Sequence, residues 1–188
     1  MEAAVKLGGL SVEDYLSGEA LSQMRHEYVG GMLYAMAGAS EEHNLISLNL
    51  ATALRWHLRG KPCRVFMVDM KVRLQIAQED VFYYPDLMVA CDPRDTERYF
   101  KRFPRVLIEV LSEETERTDR REKLASYQQI ETLEEYLLVA QDRVEATLFA
   151  RKLQWRPEIL RAENQALRLG SIGFEMPLRA VYEGVSVG

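Results

Sequence analysis

Arg105-Val106-Leu107-Ile108-Glu109-Val110-Leu111-Ser112 is the stretch on which the fold turns. Apart from one glutamate, apolar side chains occupy even and odd positions alike, the pattern of a central strand buried on both faces. Successive strand side chains point to opposite faces, so Leu107, Glu109 and Leu111 share one face and Val106, Ile108 and Val110 the other. An ionised carboxylate placed there costs several kcal/mol unless a cation or a proton meets it. Glu109 is therefore a candidate functional residue. A second carboxylate, Asp86, heads another apolar run, Pro85-Asp86-Leu87-Met88-Val89-Ala90, and Lys123 lies downstream on a predicted helix.

Working outward, Ser11-Val12-Glu13-Asp14 reads as a capping box that opens a short helix ending near Gly18. His26 to Met36 predicts a hairpin turning at Gly30-Gly31, where glycine tolerates positive φ. Ser40 caps a long helix whose Leu50, Leu54 and Leu58 form one stripe, closed by Gly60 and Pro62. Cys63 to Ile76 is strand-like, Gln78-Glu79-Asp80 a turn, and Val81 to Ala90 strand again around Pro85. A polar loop from Cys91 to Phe103 precedes the central strand, and a helix from about Glu116 to Ile130 follows it. Glu135 to Ala140 and Val144 to Ala150 predict a second hairpin; the tail carries a weak strand or two and a short helix from Pro177 to about Glu183. The expected fold is a mixed α/β (α+β) single domain over residues 1–188, with one central mixed sheet flanked by helices. No Gly-rich phosphate loop or regular strand–helix alternation supports a doubly wound nucleotide-binding fold.

The 188 residues suffice for one domain with a sizeable core. At 47 % hydrophobic and 28 % charged the composition is that of a globular protein rather than a disordered one. The formal net charge of −5 provides no global basic field, so any DNA contact needs a local patch. The runs Arg94, Arg98, Lys101, Arg102, Arg105 and Arg117, Arg120, Arg121, Lys123 are candidates, or simply solvated surface. Cys63 and Cys91 show no zinc-site or disulfide-framework spacing, and two free thiols in a reducing cytoplasm are expected. Met1 to Leu10 lacks the apolar core of a signal peptide, and no apolar run approaches the roughly 18 residues of a membrane span. A soluble cytoplasmic protein with no membrane partner and no organic cofactor is the expectation.

If Asp86 begins a strand beside the central one, its carboxylate lies next to that of Glu109, and the two repel unless a divalent cation sits between them. Oxygen ligands at a partly open site suit Mg²⁺ or Mn²⁺. Such an ion can position water for phosphodiester hydrolysis. Asp119, Lys123 and Tyr127 are spaced to share a helix face, so Asp119 could hold Lys123 as readily as Lys123 could hold water. Each residue also has an ordinary alternative. Glu109 could be a structural ion-pair partner, Asp86 a strand-start residue, Lys123 an exposed helix lysine and Glu27 a hairpin surface charge. Ser112 and Thr115 could be helix caps, and His43 an exposed residue of a first helical turn.

Pro85-Asp86 followed by Glu109-Val110-Leu111 resembles the PD-(D/E)XK nuclease motif, with Leu111 at the lysine position. Ile108-Glu109-Val110-Leu111-Ser112, Thr115, Asp119, Lys123 and Tyr127 resemble one branch, the putative restriction endonuclease family, in which the lysine has migrated to the following helix. Arg25-His26-Glu27-Tyr28, His43, Tyr84-Pro85-Asp86, Glu135-Tyr136-Leu137-Leu138-Val139 and Pro177-Leu178 extend the resemblance over about 12–183. The resemblance implies a restriction-endonuclease-like domain that cleaves DNA with Mg²⁺ or Mn²⁺, acting as a homodimer. It implies metal ligands at Asp86 and Glu109, a further acidic ligand at Glu27 and the catalytic lysine at Lys123. DNA contacts would fall at His43, Ser112 and Thr115. The alternative is a catalytically inactive nuclease-fold module that binds nucleic acid or a partner.

Overall fold

The computed structural model describes residues 9–112 and 115–186, so the leader-peptide expectation for 1–8 lies outside the described residues. Helix α1 (Val12–Leu21) is capped by Ser11, whose hydroxyl accepts the Asp14 N–H at 3.1 Å. It runs through Gly18 rather than stopping there. The ~1 kcal/mol penalty of a helical glycine is outweighed by Tyr15 packing on Tyr28 and Phe82. Strands β1 (His26–Val29) and β2 (Met32–Ala35) form the expected hairpin, with φ of 55° and 88° at Gly30 and Gly31. Helix α2 (Glu41–His57) starts at Ser40, which accepts the His43 N–H at 3.2 Å.

The stretches read as single strands break and change sheets. Cys63 to Ile76 divides into β3 (Arg64–Met67) and β4 (Lys71–Ile76), and Val81 to Ala90 into β5 (Glu79–Tyr83) and β6 (Leu87–Ala90). The β4–β5 turn falls at Ala77-Gln78, both with positive φ, one residue earlier than expected. The short β7 (Phe100–Lys101) interrupts the polar loop, and β8 (Pro104–Leu111) is the central strand. After it, α3 (Glu116–Thr118) continues through a π-helical turn (Asp119–Lys123) into α4 (Leu124–Tyr127). The chain closes with β9 (Glu135–Ala140), β10 (Ala146–Ala150), β11 (Pro157–Leu160), β12 (Ala166–Leu169), β13 (Phe174–Pro177) and α5 (Leu178–Val181).

The mixed α/β class holds, but the strands assigned to one central sheet are divided among the order β2-β1-β5-β4-β7, the order β11-β10-β9-β8-β6-β3, and a β12-β13 ribbon. β8 pairs antiparallel with β6 and parallel with β9, at the heart of the larger sheet. Its Val106, Ile108 and Val110 pack with Ile46, Leu50 and Leu54 of α2, while Leu107 and Leu111 face the other layer with Tyr127, Val72 and Val81. Glu109 shares that second face, so its carboxylate points between the two sheets.

The chain passes between those sheets repeatedly, and two of the crossings, at Val68–Met70 and at Tyr84–Asp86, are bound together by the Val68 N–H, which donates to the Asp86 carbonyl at 3.1 Å. Val68 takes φ of 50°, a left-handed conformation that costs a β-branched residue ~1–3 kcal/mol. The left-handed residue follows directly on the last residue of β3, where the chain turns toward the other sheet.

The expectation of free thiols is overturned: Cys63 and Cys91 form a disulfide, with Cα atoms 4.1 Å apart. Arg64 pairs with Ala90 in the β3–β6 ladder, which leaves the flanking cysteines facing each other. Sequence spacing cannot report such a cross-strand pair. Closing a 28-residue separation stabilises by ~3.5 kcal/mol in the chain-entropy account. Unreduced protein unfolded in guanidinium should therefore show no reactive thiol in a colorimetric titration, and reduction should lower stability by up to that amount. Two titratable thiols would contradict the bridge.

Candidate functional site

Four elements carry carboxylates or cations to one place. Glu27 is mid-β1 in the smaller sheet, Asp86 sits in the crossing between β5 and β6, and Glu109 is mid-β8 in the larger sheet. Lys123 ends the π-helical turn. Its Nζ lies 3.1 Å from Glu27 Oε1, 3.2 Å from Glu109 Oε1 and 3.2 Å from Asp119 Oδ1. The Tyr127 hydroxyl donates to the same Glu109 oxygen at 3.0 Å. Asp119, Lys123 and Tyr127 thus share the face their spacing predicts.

Asp86 and Glu109 clamp one another through the main chain. The Asp86 N–H donates to Glu109 Oε2 at 3.2 Å, and the Val110 N–H donates to Asp86 Oδ2 at 2.7 Å. His43 Nε2 stands 3.1 Å from that Asp86 oxygen, brought there by the first turn of α2. Ser112 and Thr115 bond each other, hydroxyl to hydroxyl at 3.2 Å. The Ser112 hydroxyl accepts the Thr115 N–H at 3.2 Å while the Thr115 hydroxyl accepts the Ser112 N–H at 3.3 Å, the reciprocal pattern of a capping box, although Thr115 makes no cap bond into α3 itself. Leu111, at the motif lysine position, is buried apolar core. The expected DNA patches are thinner than their sequences: Lys101 is buried against the carbonyls of Asp95 and Glu97, and Lys123 belongs to the site.

Glu109 is 3 % exposed and Lys123 7 %. Burial pushes the Glu109 carboxyl well above the ordinary carboxylate range; Lys123 opposes this, while Asp119, Asp86 and Glu27 add to it. Burial works against the Lys123 ammonium, but Glu109, Glu27 and Asp119 overcome it and hold its pKa well above the usual lysine value. These tendencies compete, because a proton on Glu109 removes one counter-charge of Lys123. Lys123 keeps its proton, since two further carboxylates remain at 3.1 and 3.2 Å. Burial also disfavours charged His43, yet the hydrogen bond and charge of Asp86 prevail and raise its pKa. Tyr127 stays a phenol, its pKa driven up by burial and then by Glu109.

The donors match a hard divalent cation in type. Glu27, Asp86, Glu109 and Asp119 outnumber the cations Lys123 and His43, and Asp119 Oδ1, though near Lys123 Nζ, is buried without an aligned hydrogen bond. The excess of carboxylates calls for a proton or a further cation. Among the described residues no three acidic, His or Cys side chains are already spaced around one point. Lys123 instead gathers Glu27, Glu109 and Asp119. A groove of about 920 Å³ lies elsewhere, along α2 at Leu48, Trp56 and Ala180, and none of the site residues lines it.

Sequence reasoning passed over Glu19 and gave Tyr84 no role beyond its place beside Asp86. The Tyr84 N–H donates to Glu27 Oε1 at 3.2 Å and its hydroxyl to Glu19 Oε1 at 2.9 Å. No local pattern marks Glu19, and only the fold brings it to Tyr84 across a separation of 65 residues.

Residues 12–179 match the family described as putative restriction endonuclease. The uncharacterized protein slr1290 of Synechocystis sp. is 36 % identical over 179 residues, covering 94 % of this chain and 93 % of that protein. A second Synechocystis protein, sll1609, also uncharacterized, is 33 % identical over 160 residues, covering 82 % and 89 %. The fold resembles the crystal structure of a putative nuclease belonging to DUF820 from Anabaena variabilis, with a TM-score of 0.71 at 14 % identity, covering 86 % of this chain and 92 % of that one.

Replacing the buried ammonium strands three carboxylates. Lys123→Met should lower metal-free stability at neutral pH by ~3–5 kcal/mol, and Tyr127→Phe by ~1–3 kcal/mol, measured by urea unfolding. The raised Glu109 pKa favours the protonated folded form, an advantage present at low pH and lost as pH rises through the folded value. The Lys123→Met loss should therefore shrink on acidification; a pH-independent loss would show that charge is not its origin.

Proposed function

The chain belongs to the putative restriction endonuclease family, and we propose that it is a metal-dependent DNA endonuclease hydrolysing phosphodiester bonds at the Glu27, Asp86, Glu109 and Lys123 cluster. The observation that carries this reading is the mutual clamp of Asp86 and Glu109, each accepting a backbone N–H beside the other, with an ammonium from the following helix 3.2 Å from Glu109. An ammonium at that point does the work of the motif lysine despite Leu111.

Asp86 and Glu109 would hold Mg²⁺ or Mn²⁺, with Glu27 as a further oxygen ligand directly or through water. When bound, the ion supplies Lewis acidity at the scissile phosphate and lowers the pKa of a water there. Lys123, charged in the pocket, orients the attacking water and offsets negative charge gathering on the phosphate oxygens. Glu27 engages one oxygen with Tyr84 and Lys123, and its other oxygen is the candidate acceptor for the water's proton. His43, held charged by Asp86, contacts a phosphate oxygen, and the Ser112 and Thr115 hydroxyls extend that contact along the backbone. The two strands of duplex DNA require two cuts, which a homodimer provides. A DNA substrate fits a cytoplasmic location, where the Cys63–Cys91 bridge is open to reduction.

Lys123 caught among three carboxylates also favours a second reading, a nuclease-fold module that binds nucleic acid without cutting it. The two separate on metal and cleavage. Supercoiled plasmid should be nicked with Mn²⁺ or Mg²⁺ and left intact with EDTA. Asp86→Ala and Glu109→Ala should abolish nicking, and Lys123→Ala should slow it by about 10²-fold or more while leaving Mn²⁺ binding by calorimetry in place. Wild-type nicking by all three variants would remove the site assignment; Mn²⁺-independent DNA binding with no nicking would leave the binding module.

A further inference from the structure

Behind the carboxylate cluster lies a second buried polar group that the proposed reaction does not use. Glu19, near the end of α1, is 5 % exposed. Its Oε1 accepts the His26 backbone N–H at 2.8 Å and the Tyr84 hydroxyl at 2.9 Å, and its Oε2 faces His26 Nδ1 at 3.2 Å. Lys71 Nζ donates to the same Tyr84 oxygen at 3.2 Å, so that hydroxyl both gives and takes a hydrogen bond. The targets are specific. His26 immediately precedes Glu27, and alternation along β1 puts Glu19 on one face of the strand and the Glu27 carboxylate on the other. Tyr84 stands two residues before Asp86, in the crossing between sheets, and its own N–H binds Glu27 Oε1 at 3.2 Å.

Docking α1 does not need this polar group. Tyr15, Tyr28, Phe82 and Phe100 already pack α1 onto the smaller sheet, with Tyr15 and Tyr28 stacked at 4.9 Å between centroids. Burying charged Glu19 and Lys71 carries a desolvation cost that apolar packing alone would not, so the polar group is kept for the bonds it makes, to the His26 N–H and the Tyr84 hydroxyl. Apolar residues in place of Glu19, Tyr84 and Lys71 could not hold the residues flanking Glu27 and Asp86 at fixed donor–acceptor distances.

We infer that Glu19 and Tyr84 are positioning residues: their hydrogen bond registers Glu27, on one sheet, against Asp86, at the crossing to the other, and so sets how tightly these carboxylates take a divalent cation. The inference rests on the metal site of the proposed function. Hydrogen-bonded partners one step behind metal ligands change metal affinity by about 10–100-fold when removed; the Glu19–Tyr84 bond stands one step further back, acting through the Tyr84 N–H on Glu27, so the low end of that range applies.

The test measures Mn²⁺ affinity of the full chain by calorimetry, with plasmid nicking followed as a function of Mn²⁺ concentration. Tyr84→Phe deletes one hydroxyl and keeps the ring beneath Lys71 Nζ, which lies 5.1 Å from its centroid. It should weaken Mn²⁺ binding about 10-fold and slow nicking at limiting Mn²⁺, with the rate recovering at saturating Mn²⁺. Glu19→Leu should behave alike. Glu19→Gln should stay within about twofold of wild type, because its amide oxygen can accept the same two bonds at the Oε1 position. A purely structural role lowers Tm and leaves the Mn²⁺ dissociation constant untouched. Unchanged affinity in Tyr84→Phe, with wild-type binding and nicking intact, overturns this inference and spares the nuclease reading. A wild-type protein that binds no Mn²⁺ overturns both.

Discussion

The buried carboxylate of Glu109 is the constraint on which the rest depends. Buried between two sheets it is cut off from bulk solvent, so its lone pairs must be met by protein. They are met by Lys123 and Tyr127 from the helical segment and by the Asp86 N–H from the sheet crossing. Satisfying one side chain therefore ties three separate parts of the chain together. The several kcal/mol at stake are a large share of the ~5–15 kcal/mol by which domains are stable. An apolar core would be no less stable, and this is why the arrangement speaks for function rather than for folding.

The division into two sheets explains why the site stands where it does. Where a strand leaves one ladder for another, its backbone N–H groups lose strand partners and must find others. Here the N–H groups of Tyr84, Asp86 and Val110 all donate to carboxylates of the cluster. The crossing and the acidic residues thus satisfy each other: the carboxylates complete the backbone, and the backbone aims the carboxylates. The strained Val68 turn, bonded to the Asp86 carbonyl, buttresses the same point from the neighbouring crossing. The π-helical turn from Asp119 to Lys123 follows a wider habit of such turns, which recur at functional sites.

Much of the fold was legible because it rests on short-range rules. Ser11 and Ser40 announced their helices, Gly30-Gly31 its hairpin, and the unbroken apolar run around Glu109 its central strand. The division of Cys63–Ile76 and Val81–Ala90 between sheets was hidden, since the first break lies at a left-handed Val68 and both depend on which ladder each half joins. The Cys63–Cys91 bridge was hidden for the same reason: it follows from the β3–β6 register. Among the candidate residues, Glu27, Asp86, Glu109, Lys123 and His43 come together. Ser112 and Thr115 pair with one another, and Glu19 enters with no signal of its own.

By itself the sequence determined the secondary-structure periods, the helix starts, the burial of the central strand and the anomaly of a carboxylate within it. All are properties of side-chain chemistry and spacing over a few residues. Only the tertiary structure decided which cation meets that carboxylate, which carboxylates share Lys123, and which buried partners hold them. These contacts join residues separated by 14, 23, 57 and 65 positions. A pairing at such range is set by sheet register and packing, and neither is written in any local stretch of chain.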